Sequence, residues 1–258
     1  FNGFLNNQNM SKIKKNADLV LASNVFAHSD DLIGMAKCMI GLLKKNGNLI
    51  IEVQYLVDTL KELTFDNIYH EHYNYWSLTS LTNFFKKLNT KIYRAEKINT
   101  HGGSLRIYLN KNKNTKVEKS VNRILKEEEK FGIKKFQTYK IFGEKINKIR
   151  ENVNKNLDKI INKNNNIIGY GSPAKATTFL NFFGINNKKL KYVVEDNILK
   201  QNKFIPGVKI KIINKKKFYG KKNTVLVLAW NFFEEIKASN KKLGNKFINI
   251  KDLEKNNL

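Results

Sequence analysis

Residues 17–54 read ADLVLASNVFAHSDDLIGMAKCMIGLLKKNGNLIIEVQ, and this stretch decides the fold class. Its opening, ADLVLASNV (17–25), is a short apolar run that ends in small and polar residues. That pattern predicts a buried parallel strand followed by a loop. Residues 31–43, DLIGMAKCMIGLL, have helical spacing, with Asp30 and Asp31 near the start, where negative charge suits the helix dipole. KKNG at 44–47 is read as a helix stop with a turn glycine. NLIIEVQ (48–54) is the next strand. Strand, helix and strand in that order imply a parallel sheet and an α/β fold.

Working outward, residues 55–88 are mostly helical and aromatic, interrupted by IYHEHYNYWSLT. KIYRAEKIN and SLRIYLNK flank the turn THGG and predict an antiparallel edge hairpin. Residues 116–162 carry charge and helical periodicity, which predicts one or two long helices with a break near Gly132. Their Lys/Glu runs are read as solvated helix faces. A second α/β unit follows: NIIGYGSPAKATTFLNFFGI is strand, glycine turn and helix, KLKYVVED and TVLVLAW are strands, NFFEEIKASNKK is a helix, and KFINI is a last strand. The expected division is 1–112, a helical connector 113–163, and 164–258.

The chain has 258 residues and a net charge of +26, from 48 Lys+Arg against 22 Asp+Glu. Such a charge invites a nucleic-acid reading. Only four of the 48 are arginine, the residue whose planar fork reads bases and phosphates, and asparagine reaches 38. A Lys/Asn excess spread evenly is better explained as compositional drift toward A/T-rich codons, so no nucleic-acid partner is expected. The single Cys38 excludes a disulfide framework and a self-contained cysteine zinc site. No apolar run approaches the ~18–20 residues of a membrane span, and no signal peptide is present, so no membrane partner and a cytoplasmic location are expected. The chain starts at Phe1 and enters a buried-looking strand within twenty residues, so a fragment lacking its N-terminal part is expected.

Four histidines stand out: His28, His70, His72 and His101. His70-Glu71-His72 sits among Tyr69, Tyr73, Tyr75 and Trp76. Histidine takes a proton near neutral pH, a neighbouring carboxylate can orient it, and tyrosine hydroxyls can donate to an oxyanion. An aromatic packing knot with hydrogen-bonded histidines remains an alternative. So does a Zn or Fe site, although His70 and His72 at i, i+2 do not share a helix face. Gly169-Tyr170-Gly171-Ser172-Pro173-Ala174 follows a strand and opens a helix, matching the G-x-G-x-x-G/A pattern in its required context. The helix N-terminus offers free N–H groups to a diphosphate, Lys175 adds a point charge, and Glu195-Asp196 end the next strand, where an acid can bind a ribose hydroxyl. A tight turn that needs glycine only for packing is the bland alternative.

In order, NVFAHSDDL, IYHEHYNYWSLTSL, THGGSLRIY, GYGSPAKATTFLN, VVEDNILKQNKFIPG and LAWNFFEEI resemble the signature segments of S-adenosylmethionine-dependent sugar C-methyltransferases, over nearly the whole chain. The resemblance implies the C-terminal half of a methyltransferase domain, with a partial Rossmann-like sheet, joined by long helices to a second Rossmann-like domain that binds nucleotide sugar. The family's four-cysteine zinc domain and its glycine-rich cofactor loop would lie upstream of Phe1, so zinc is expected only there and this fragment alone is expected to be inactive. The implied cofactor is S-adenosylmethionine, beside Asn24 and Val25. The implied substrate is a nucleotide-linked 4-keto deoxysugar. By similarity His72 is the general base at C3, Glu71 orients it, and Tyr69 and His28 stabilise the enolate. His101, Gly102, Gly103 and Arg106, with Gly171, Ser172, Lys175 and Asp196, are the implied substrate contacts, and no metal takes part. Another small-molecule methyltransferase and an NAD-type oxidoreductase are the alternatives. The oligomeric state is left open.

Overall fold

The computed structural model describes residues 2–13, 16–100, 102–112, 114–163, 167–218, 223–243 and 246–255. Two compact units divide the chain: residues 1–65 with 70–142, and residues 66–69 with 143–258. The expected 113–163 stretch is shared between them, because the division falls inside a long helix.

In the first unit, strand β1 (Ala17–Ser23), helix α1 (Leu32–Leu42) and strand β2 (Leu43–Gln54) form the expected parallel pair, but β1 is not the buried strand its apolar run predicts: it lies at the sheet edge with Leu19 and Leu21 exposed. The Asp31 carboxylate caps α1 by accepting from the Gly34 N–H at 2.8 Å. KKNG is not a helix stop. The α1 cap is Leu43 in an extended conformation, and residues 44–47 already belong to an irregular start of β2 where the register with β1 slips. A Cβ at Gly47 would meet the Ala17 carbonyl oxygen at 2.6 Å. Glycine is therefore required there for close approach to β1, not for a left-handed cap.

After α2 (Leu56–Lys61) and α3 (Leu78–Lys87), strands β3 (Lys91–Ile98) and β4 (Ser104–Asn110) make the predicted hairpin. β4 inserts beside β2, giving the order β1-β2-β4-β3 with β2–β4 antiparallel. Leu49, Ile51, Val53, Leu105, Ile107 and Leu109 alternate along β2 and β4 and are almost fully buried in one core. Helix α4 (Lys119–Phe131) closes that core with Val121 and Ile124. Gly132 ends it in the left-handed conformation, so the predicted break is where it should be. The Lys/Glu run of α4 is not uniformly a solvated face: Glu128 is fully buried and accepts from the Leu78 and Thr79 N–H groups at 2.6 and 2.8 Å. Helix α5 (Phe136–Lys163) follows.

The second unit is a six-stranded sheet built from β5 (Ile167–Tyr170), β6 (Tyr192–Val194), β7 (Phe204–Ile205), β8 (Ile210–Ile213), β9 (Thr224–Val227) and β10 (Lys246–Asn249). Its order is β10-β9-β5-β6-β8-β7, parallel except for the edge pair β7–β8. Among the parallel strands this is the doubly wound order, with the switch point between β5 and β9. Helices α6 (Ala174–Phe183) and α7 (Phe233–Ser239) follow β5 and β9. The short β7–β8 hairpin around Pro206-Gly207 was not among the sequence expectations. No helix among the described residues is long and apolar enough to cross a membrane.

Candidate functional site

The first unit brings His28 and His72 together at the carboxyl end of β1. Asn24 takes a left-handed turn (φ +54°) and donates its N–H to the Glu52 carbonyl on β2 at 2.9 Å. The chain then enters a 3-10 turn, Phe26–His28. Phe26 is fully buried and stacks on Trp76 (centroids 5.5 Å) and Phe85 (5.9 Å). The aromatic segment around 72–76 is stitched to the same turn. Tyr73 and Asn74 donate their N–H groups to the Ala27 carbonyl, at 3.0 and 3.3 Å, and the Asn74 side chain reaches the Ser29 carbonyl. These bonds bring the rings of His28 and His72 to 5.1 Å, with Tyr75 edge-on to His72 at 6.1 Å. Glu71 is exposed and its carboxylate lies 4.0 Å from His70 Nε2. Val25 is 46% exposed beside Asn24. Tyr69 is half-buried and grouped with the second unit.

Arg106 sits opposite Glu52 on β4 and donates twice to its Oε2, at 3.0 and 2.7 Å, while Thr100 donates to Oε1. His101 lies outside the described residues. Gly102 and Gly103 both have positive φ, and a Cβ at Gly103 would meet the Asp58 carboxylate at 2.4 Å. Only glycine lets the hairpin turn close on α2 at that point.

In the second unit, Gly171 (φ +83°) donates its N–H to the Val194 carbonyl at 2.8 Å, and a Cβ there would meet the Ala229 side chain at 2.9 Å. The glycine thus allows the loops after β5 and β9 to touch. Pro173 is the residue just before α6 and leaves that helix without a side-chain cap. Ser172 donates both its N–H (2.8 Å) and its hydroxyl (2.6 Å) to the Glu195 carboxylate. Asp196 accepts from the Tyr170 hydroxyl and pairs with Lys215 at 2.8 Å. Lys175 places its ammonium 5.5 Å from the centre of the Trp230 ring. Among the described residues no group of three or more His, Cys, Asp or Glu is placed to hold a metal ion.

Residues 99–250 match the family model of the C-methyltransferase C-terminal domain, and residues 3–95 match a methyltransferase domain model. The chain belongs to the C-methyltransferase family. It is 30% identical over 237 residues to C-methyltransferase NovU of Streptomyces niveus, covering 90% of this chain and 56% of that protein. The chain therefore spans little more than half the length of that curated relative. Magnesium protoporphyrin IX methyltransferase from Synechocystis PCC 6803, solved with bound SAH, is similar over 39% of this chain and 47% of its own, at 14% identity and TM-score 0.31. The α/β class and the second Rossmann-like unit rest on the sheet orders above.

For this C-methyltransferase family member, the glycine turn has a pH signature. Burial pushes the Glu195 carboxyl up, but hydrogen bonds from Ser172 and Asn197 and the charge of Lys200 outweigh it and hold it below the usual carboxylate range. A carboxylate depressed in the folded state contributes stability above its unfolded value, about 4.3, and loses it as pH falls through the folded value. Unfolding of the second unit, followed by Trp230 emission, is expected to shift to lower denaturant below about pH 4.3. Glu195→Gln should flatten that dependence. An unchanged slope would mean the carboxylate is not held in the turn.

The sequence reading missed two partners of the expected residues. Glu52 lies on the less apolar face of β2, and only its place opposite Arg106 marks it. Trp230 lies in LAWNFFEEI, one loop after a strand, and no local pattern shows that Lys175 will reach its ring.

Proposed function

We propose that the protein is an S-adenosylmethionine-dependent C-methyltransferase acting at C3 of a nucleotide-linked 4-keto deoxysugar. The observation that carries this reading is the His28–His72 pair at the carboxyl end of a parallel strand, in a chain of the C-methyltransferase family. The corner after β1 fits one edge of the cofactor, because Val25 offers apolar surface beside the half-exposed Asn24 amide. When bound, S-adenosylmethionine supplies an electrophilic sulfonium methyl and departs as the thioether.

The C4 carbonyl makes the C3 proton acidic. In this reading His72 takes that proton, and the C–H electron pair becomes the enolate, whose C3 carbon forms the new bond to methyl. The geometry supports His72, since the backbone bonds of Tyr73 and Asn74 fix the segment that carries it. His28, one ring away, donates toward the enolate oxygen, with Glu71 orienting the base. Base catalysis of this kind contributes about 10²–10⁴-fold and a positioned oxyanion donor about 10²–10³-fold. A carbon nucleophile of this type requires neither a serine or cysteine nucleophile nor a metal.

The test is deuterium uptake at C3. The full-length protein, incubated in heavy water with nucleotide-linked 4-keto deoxysugars, is expected to exchange the C3 proton and, with S-adenosylmethionine, to add 14 mass units to the sugar. Methyl addition at oxygen or nitrogen, or no C3 exchange with any keto sugar, would sink the reading.

A further inference from the structure

Three segments of the first unit are fastened to the last residues of β2. The N–H of Asn24, at the corner that leads to His28, donates to the Glu52 carbonyl at 2.9 Å. The Tyr55 N–H donates to the carbonyl of Gly103, in the hairpin turn, at 3.1 Å. The Leu56 N–H donates to the carbonyl of Trp76, four residues after His72, at 2.9 Å. Gln54 stands between these attachment points. In α/β sheets ligands gather outside the carboxyl ends of the parallel strands. β2 ends at Gln54, beside the end of β1.

Strand alternation sets the direction of its side chain. Val53 and Tyr55 are buried in the core, so Gln54 lies on the opposite face with Glu52. Glu52 is engaged there by Arg106 and by the Thr100 hydroxyl. Ser104, opposite Gln54 on β4, is buried and engaged as well: it donates to the Thr100 carbonyl at 3.2 Å and accepts from the Thr100 hydroxyl at 3.1 Å. Gln54 is left out of this network. Its Oε1 is closed off from solvent and meets no donor among the described residues.

A buried amide oxygen without a donor costs free energy, and native structures keep few of them. The hydroxyls of Thr59 and Thr82 are also unpaired, but they sit inside α2 and α3, where rotation of the side chain brings a helix carbonyl within reach. An acceptor at a strand end has no such local partner. It is satisfied by an N–H or O–H brought from outside.

We propose that Gln54 is a specificity-determining residue of the methyl-transfer site, whose amide oxygen accepts a hydrogen bond from the hydroxyl or amino group that the sugar carries at C3. This rests on the reading that C3 of a keto sugar is the reacting carbon. The C3 substituent is the ring donor nearest the carbon that must reach His72, and Gln54 sits on the strand end to which the His28 and His72 segments are both tied. A neutral acceptor suits the chemistry. A carboxylate at this position would repel the enolate, whereas an amide oxygen holds the substituent without adding charge. A site built to bond a donor rejects the analogue that lacks it, because the buried acceptor is then left unpaired.

Gln54→Met in the full-length protein tests this, with thymidine-diphosphate-linked 4-keto sugars that carry or lack the C3 hydroxyl. Methionine has a similar length and no amide. The free protein has no bond to lose there, so the urea midpoint read by circular dichroism should stay at the wild-type value or rise. For the hydroxylated sugar, kcat/KM of methyl transfer should fall about ten- to hundred-fold, the cost of leaving a donor unpaired. For the 3-deoxy sugar, variant and wild type should agree within about two-fold. Three results would each overturn the role of Gln54: activity on the hydroxylated sugar within about two-fold of wild type, an equal loss on both sugars, or a lower midpoint, which would place the amide in a bond of the free protein. C3 exchange by the wild-type protein, read in the same incubations, separates the two readings. Its absence with both sugars sinks C3 methylation and the Gln54 contact with it, whereas exchange together with any of those three results sinks the contact alone.

Discussion

His72→Ala in the full-length protein is expected to lower kcat for methyl transfer by about 10²–10⁴-fold, the usual share of a positioned general base. Exchange of the C3 proton with solvent should fall with it, while binding of the nucleotide sugar persists. The coupling of the two losses is the informative part. A residue that only positions the methyl donor would slow transfer and leave exchange intact. His28→Ala should also lower both rates, by the smaller factor of a lost oxyanion donor, about 10²–10³. Exchange at the wild-type rate in His72→Ala would remove His72 as the base and leave its 5.1 Å neighbour His28 as the candidate. Both substitutions leave the Tyr73 and Asn74 backbone bonds in place, so the segment should keep its path.

Glu128→Ala is expected to destabilise the first unit by about 3 kcal/mol or more. The carboxylate accepts from the Leu78 N–H at 2.6 Å, the Thr79 N–H at 2.8 Å and the Thr79 hydroxyl at 2.5 Å, at the N-terminus of α3. Glu128 is fully buried, so water cannot replace it without a cavity. One further effect adds to the loss: the carboxylate faces the positive end of the α3 dipole. Glu128→Gln keeps one acceptor oxygen and should cost roughly half as much. The chain has two tryptophans, Trp76 in the first unit and Trp230 in the second. In a Trp230→Phe background the urea midpoint reported by Trp76 should drop sharply for Glu128→Ala. A change equivalent to under about 0.5 kcal/mol, the range of ordinary surface substitutions, would show that the contact is not stabilising.

Glu128 also marks where the sequence was hard to read. Glu127-Glu128-Glu129 looks like a solvated charge run, and two of the three are exposed. Val121, Ile124 and Glu128 fall on one helical stripe, and that period, which the charge run masked, was the one sign that Glu128 faces inward. Its partners, 49 and 50 residues away, had no local signal. The parallel units were legible because apolar runs such as LVLA and TVLVL have few other solutions. The β7–β8 hairpin was not, since a two-residue strand carries no period. At the glycine turn, the pattern located the bend and the strand order but not the Glu195 side chain lying across it. The stop assigned to KKNG failed because glycine serves close backbone approach as readily as a left-handed cap. His28 and His72 meet through carbonyl bonds at Ala27, which leave no mark in residue type.

Phe26 and Trp76 have a bearing on how the protein loses activity. Phe26 lies two residues before His28 and Trp76 four residues after His72, and their rings are stacked in the core. The two histidines are thus outriggers of one aromatic joint. The backbone that carries them is held by that joint and by the Tyr73 and Asn74 bonds to the Ala27 carbonyl. Inactivation by heat or urea should therefore follow the same curve as core melting, and turnover becomes a built-in gauge of whether the first unit is folded.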